Sequence, residues 1–225
     1  RAGDVSCWGD NRSGQLGIPA DGSTHTDPVT VDGLPPVVDL AAGYTHTCAI
    51  DETGGVWCWG DNVLGMLGNG EDHTSSHVPV QVVGLDDATA IDGGFWHTCA
   101  ARADGTAWCW GSNTTVTGQL NGQLGNDVLV RALTPVQVVG LTDVVGVSAG
   151  LEHTCAVRAG GSAACFGRDE SGQLGDGEPL ESSGVPVTVA GLSRATGVTA
   201  GWGQSCAVRA NGHVSCWGNN VRGLL

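Results

Sequence analysis

Cys48-Ala-Ile-Asp-Glu-Thr-Gly-Gly-Val-Trp-Cys58-Trp-Gly60 decides the fold, because the chain writes it four times. It returns as Cys99…Cys109-Trp-Gly, Cys155…Cys165-Phe-Gly and Cys206…Cys216-Trp-Gly, the two cysteines always ten positions apart. Cys7-Trp8-Gly9 opens the chain as an incomplete fifth copy, and the second cysteines step by 51, 51, 56 and 51 residues from Cys7 to Cys216. Self-similarity at such a period marks a propeller or solenoid array.

Outward from this segment, each period carries the same parts. Residues 28–34, Pro-Val-Thr-Val-Asp-Gly-Leu, alternate like a short strand closed by a turn, and recur at 79–85, 135–141 and 186–192. Residues 37–43 give a second strand, 46–50 a third and 56–60 a fourth, followed by Gly65-Met-Leu-Gly68 and a polar loop. Only the third period is longer, by five residues around 114–119. Four short strands per period, with no helical periodicity, predict an all-β chain of four-stranded antiparallel blades.

Gly-x-x-His-Thr-Cys-Ala, Gly-x-Val-x-Cys-Trp-Gly-x-Asn and Gly-Gln-Leu-Gly, in that order, resemble the repeat of the regulator of chromosome condensation family. The resemblance covers nearly the whole chain and implies a β-propeller, usually of seven blades. At this period seven blades need about 360 residues. Residues 1–225 therefore read as one repeat domain: four periods of about 51 residues plus a partial N-terminal repeat, about four blades of a longer ring. The opening within a hairpin and the close inside a Gly223-Leu-Leu225 turn fit such a segment.

Charge narrows the partners. The net charge is −14, with nine Arg and no Lys, opposite to what a nucleic-acid binder needs. Basic partners or cations are favoured. No run of 18 apolar residues exists, so no helical membrane insertion is expected.

Within each period Cys48 and Cys58, Cys99 and Cys109, Cys155 and Cys165, Cys206 and Cys216 flank a hairpin. Cross-strand neighbours there suit disulfides and an extracellular, cell-surface or periplasmic location; buried reduced thiols are the competing reading. Cys7 has no partner. Zinc on His46, Cys48 and Cys58 is disfavoured, since the spacing is unusual and Gln204 replaces the histidine in the last copy. The histidines instead suit strand-end hydrogen bonds. Ser148, in a formal Gly-x-Ser-x-Gly, lies within a strand pattern rather than a strand-to-helix elbow. Asp-Asn pairs such as Asp61-Asn62 suit turns more than calcium. Asn11-Arg-Ser13 and Asn113-Thr-Thr115 are sequons. No catalytic set, cofactor loop or metal site stands apart from the repeat. Trp8, Trp59, Trp110 and Trp217 read as core between blades.

The two residues before each His behave differently. Tyr44-Thr45, Phe95-Trp96, Leu151-Glu152 and Trp202-Gly203 change freely while everything around them is fixed. The resemblance places this region on the exposed propeller face. Tyr44, Phe95, Trp96, Leu151, Glu152 and Trp202 are thus expected to contact a partner; packing between blades is the alternative. The leading function is a non-enzymatic binding or scaffold propeller, recognising a protein or glycan. Nucleotide exchange on a small GTPase, which the family namesake implies, and enzyme inhibition or polysaccharide chemistry are the alternatives.

Overall fold

A computed structural model describes residues 3–127, 130–223 and 225, and every structural statement below concerns these. The expected final turn includes Leu224, which lies outside them. Seventeen strands and no helix are present among the described residues. A two-stranded sheet of β1 (Ser6–Asp10) and β2 (Thr24–Thr30) comes first. Three four-stranded antiparallel blades follow. They are β3 (Val37–Ala42), β4 (His46–Asp51), β5 (Val56–Gly60) and β6 (Ser76–Gln81); β7 (Ala88–Gly93), β8 (His97–Arg102), β9 (Ala107–Ser112) and β10 (Arg131–Gln137); and β11 (Val144–Ala149), β12 (His153–Arg158), β13 (Ala163–Gly167) and β14 (Ser183–Thr188). A three-stranded sheet of β15 (Ala195–Ala200), β16 (Gln204–Arg209) and β17 (Val214–Gly218) comes last. The first strand of each blade packs beside the first strand of the next, β3 on β7, β7 on β11 and β11 on β15, which sets the blades side by side around an inner wall.

Blade and sequence period are out of phase. The Pro-Val-x-Val strand, read as opening a period, closes the blade before it: β2 pairs with β1, and β6 with β5. It also begins earlier than its alternation shows, at Thr24 and Ser76. The connection between adjacent blades therefore runs through Asp32-Gly-Leu34 and its repeats.

All four cysteine pairs are disulfides joining the second and third strands of one sheet, with Cα–Cα separations of 4.0–4.1 Å; Cys7 is free. Cys48 and Cys58 are direct cross-strand partners, as are the other three pairs, so each bond clamps the centre of a blade.

The Gly-x-Leu-Gly turn is a seat for the next blade. Gly68 has φ +63°, a conformation that glycine adopts without steric cost, and a Cβ there would stand 2.8 Å from Trp110 Nε1. The Trp110 indole lies over this turn, fully buried, and donates to Met66 O at 2.8 Å. Trp59 and Trp217 donate likewise to Gln15 O and Gln173 O, both at 2.9 Å. Trp8 departs from its expected core role. It is 65% exposed. Asn11, Asn62 and Asn113 brace the same turns, each accepting the N–H of a leucine five to eleven residues on: Leu16, Leu67 and Leu124. Asn11 and Asn113 are completely buried, so neither sequon presents its amide to solvent in the folded chain.

Candidate functional site

The site is built on the short link between the first and second strands of each blade. His46 lies under Gly43, where a Cβ would stand 2.5 Å from its Nδ1; the same cradle recurs at Gly94 and His97, and at Gly150 and His153. Each histidine reaches across the blade boundary. His46 Nε2 meets Thr98 Oγ1 at 2.8 Å, His97 Nε2 meets Thr154 Oγ1 at 2.9 Å, and His153 Nε2 meets Ser205 Oγ at 2.9 Å. These hydroxyls donate onward to Met66 O, Gln123 O and Gln173 O. The hydroxyl proton being committed, Nε2 must donate, and Nδ1 keeps a buried lone pair with no partner. Burial holds the three imidazoles far below the usual histidine range, at about 4 for His46, about 3 for His97 and about 4 for His153. They are neutral braces. Among the described residues no group of three or more His, Cys, Asp or Glu is placed to hold a metal ion.

With the link fixed from below, its first variable residue is held by its own main chain. Tyr44 N donates to Gly94 O, Phe95 N to Gly150 O and Leu151 N to Gly201 O, at 3.0–3.2 Å. The side chains of Tyr44, Phe95, Leu151 and Trp202 thereby ring one shallow depression, floored by Gly43, Gly94, Gly150, Gly201 and the residues before them. Tyr44 and Phe95 stack with centroids 4.1 Å apart, and Trp96 meets Phe95 edge-on at 4.7 Å. Tyr44 is 61% and Trp202 73% exposed, whereas Phe95, Trp96 and Leu151 are half-buried.

In two links the second variable residue reaches the residue that follows Trp-Gly or Phe-Gly. Thr45 Oγ1 donates to Asp61 Oδ2 at 3.4 Å. In the third blade these slots hold Glu152 and Arg168, paired at 2.7 Å. Glu152 does not join the depression. It is 2% exposed, and its Oε1 accepts the N–H of Val116 at 2.7 Å. It anchors the five-residue insertion, a small hairpin closed by the Thr114–Leu120 bridge. Arg168 also holds Glu170.

Asp92 escaped the sequence reading. Its slot on the inner strand is Ala41, Ser148 or Thr199 in the other copies, and that contrast was the available signal. Ser148 is no nucleophile elbow: it lies in β11, donates to Asp92 Oδ2 at 2.8 Å and accepts from Ala200 N at 2.9 Å. Asp92 Oδ2 also accepts from Ala149 N at 2.9 Å. Burial, the largest influence, pushes the Asp92 carboxyl above the usual range.

Known proteins share this architecture. The regulator of chromosome condensation (RCC1) repeat profile matches residues 2–50, 53–101, 104–157 and 161–208. The ultraviolet-B receptor UVR8 of Arabidopsis thaliana is 30% identical over 99% of this chain and 50% of its own length. The human probable E3 ubiquitin-protein ligase HERC6 is 32% identical over 81% of the chain and 18% of its own length. The chain thus spans half or less of these relatives. Yeast RCC1 (Prp20), solved bound to Kap60, superposes with a TM-score of 0.80 at 22% identity, over 96% of this chain and 52% of that one. Repeat, blade and profile agree along nearly the whole sequence, and the chain belongs to the regulator of chromosome condensation (RCC1) repeat family.

Proposed function

We propose that this chain is a non-enzymatic, protein-binding propeller segment working in an oxidising compartment: extracellular, cell-surface or periplasmic. It grips its partner through the rim of Tyr44, Phe95, Trp96, Leu151 and Trp202. One observation carries this reading: four equivalent slots, three of them held by equivalent main-chain bonds, present four different bulky side chains to one depression. Packing would select one side chain for four equal environments, whereas an asymmetric protein surface rewards four different ones. Four disulfides, three of them fully buried, support the compartment, and a net charge of −14 argues against nucleic acid. Yeast RCC1 (Prp20) was solved bound to a protein, Kap60, which supports a protein rather than a glycan.

The test is partner capture by the wild type and by the Tyr44→Ala/Trp202→Ala double variant. Loss of capture with a nearly unchanged melting temperature is expected. Destabilisation by about 3–5 kcal/mol, the cost of truncating a core aromatic, would move the binding face elsewhere.

A further inference from the structure

One carboxylate beside the depression has hydrogen bonds but no countercharge: Asp92 accepts from Gly93 N, Ala149 N and the Ser148 hydroxyl. Asp92 immediately precedes Gly93, which lines the depression, and its Oδ2 holds the N–H of Ala149, which lines it too. The bond to Ala149 covers an open strand edge, yet it needs no charge. One blade further on, the neutral hydroxyl of Ser148 covers the equivalent N–H of Ala200 at the same 2.9 Å. A carboxylate at this slot is therefore not required for capping, and its partial burial raises the cost of ionising it. No Arg or His pairs with it among the described residues, and the nearby Asp39 only adds repulsion. Three other carboxylates, Asp72, Asp87 and Glu152, do have a guanidinium, from Arg131, Arg102 and Arg168. Above Asp92 the rim offers π faces, Tyr44 and Phe95 stacked and Trp202 exposed, which attract cations. The surrounding field is that of a −14 chain.

We infer that the depression receives a cationic side chain, a lysine or arginine presented by the protein partner, with its charge toward Asp92 and its aliphatic stem against Tyr44, Phe95 and Trp202. This rests on the proposed use of the face by a protein and specifies the chemistry at its centre. Bringing a cation to Asp92 supplies the countercharge the fold omits.

Four pentapeptides serve as probes, Gly-Gly-X-Gly-Gly with X being lysine, arginine, norleucine or glutamate, capped at both ends. Backbone amide shifts of the folded chain are followed during titration. The lysine or arginine peptide is expected to move Gly93, Gly94, Phe95, Ala149 and Gly150, and norleucine, which keeps the stem without the charge, to bind at least tenfold more weakly. Asp92→Ser, which keeps a capping hydroxyl, and Asp92→Asn should each weaken the cationic peptide at least tenfold while leaving norleucine unchanged. Equal binding of norleucine and lysine, unchanged affinity in both Asp92 variants, or no shifts from either cationic peptide would overturn the inference. If norleucine binds as well as lysine and Trp202→Ala abolishes both, the rim stands as a docking face and the cation assignment alone fails. If the cationic peptides need Asp92 but ignore Tyr44→Ala and Trp202→Ala, the reading of the aromatic rim fails instead.

Discussion

His97 Nε2 lies 2.9 Å from Thr154 Oγ1 across the boundary between the second and third blades, with the opposite ring nitrogen buried and bare. The bond ties one blade's second strand to the next blade's second strand, at a seam also crossed by Phe95 N to Gly150 O and by the bonds of Asp92. A second proton on this ring would find no acceptor, so the seam carries an acid sensitivity that no surface residue reports.

Stability should fall in acid by way of these seams. The folded-state values of His46, His97 and His153 lie below the ordinary 6.5, at about 4, about 3 and about 4. Their contribution is full above pH 6.5 and is lost as the pH falls toward 4 and 3. Denaturant titrations across this range should show a steep decline. His97→Gln, which copies Gln204 of the last blade, should flatten it; an unchanged slope would remove His97 from the account.

The third blade carries a charge where its siblings carry an amide. Asp169 sits in the slot of Asn11, Asn62 and Asn113 and accepts the Leu174 N–H at 2.7 Å. Burial raises its carboxyl above the usual range, so its ionisation weakens the fold as the pH rises. Asp169→Asn should stabilise the chain at neutral pH by about 1 kcal/mol, within the range of ordinary point substitutions. The gain should shrink in acid, where the carboxyl is protonated anyway. Destabilisation at pH 7 would contradict this assignment.

Thiol counting checks the cysteine framework. In denaturant without reductant, one thiol per chain should react, from Cys7. Replacing Cys155 and Cys165 together by serine should cost roughly 2–3 kcal/mol, as expected for a loop of this length. Nine reactive thiols would exclude the disulfides and, with them, the oxidising compartment.

Phe166 shows what the tryptophan seat tolerates. It fills the aromatic slot without an indole N–H, leaving Gln123 O the hydroxyl of Thr154. Trp110→Phe should therefore cost about 1 kcal/mol for the lost bond to Met66 O, whereas Trp110→Ala should cost about 3–5 kcal/mol. Equal losses, read by chemical denaturation, would deny the bond any separate role.

The blades were legible because strand alternation and turn glycines are local signals, and four copies made them unmistakable. The cysteine pairs were legible for the same reason, since a ten-residue hairpin fixes its own register. Long-range relations were not. The bond from His46 to Thr98 spans 52 positions, and nothing in the spacing of either residue announces it. Glu152 looked like a rim residue because its neighbour Leu151 is one. Its burial depends on Arg168 sixteen residues on and on the hairpin inserted in the preceding blade. Asp92 hid in a strand whose slot looked unremarkable until Ser148 and Ala200 showed what that slot does. The sequence period also misplaced the blade boundary, because the strand that follows a loop closes the sheet behind it rather than opening the one ahead.

The main-chain bonds from Tyr44, Phe95 and Leu151 to the glycine carbonyls of the next blade separate where a side chain sits from what it is. Backbone amides hold the positions whatever the side chains are, while the buried histidines below leave them free of the core. Such a scaffold can be re-lettered. A combinatorial library at positions 44, 95, 151 and 202 would sample new surfaces on an unaltered frame, and the differences already present among the four copies look like the natural counterpart of such a library.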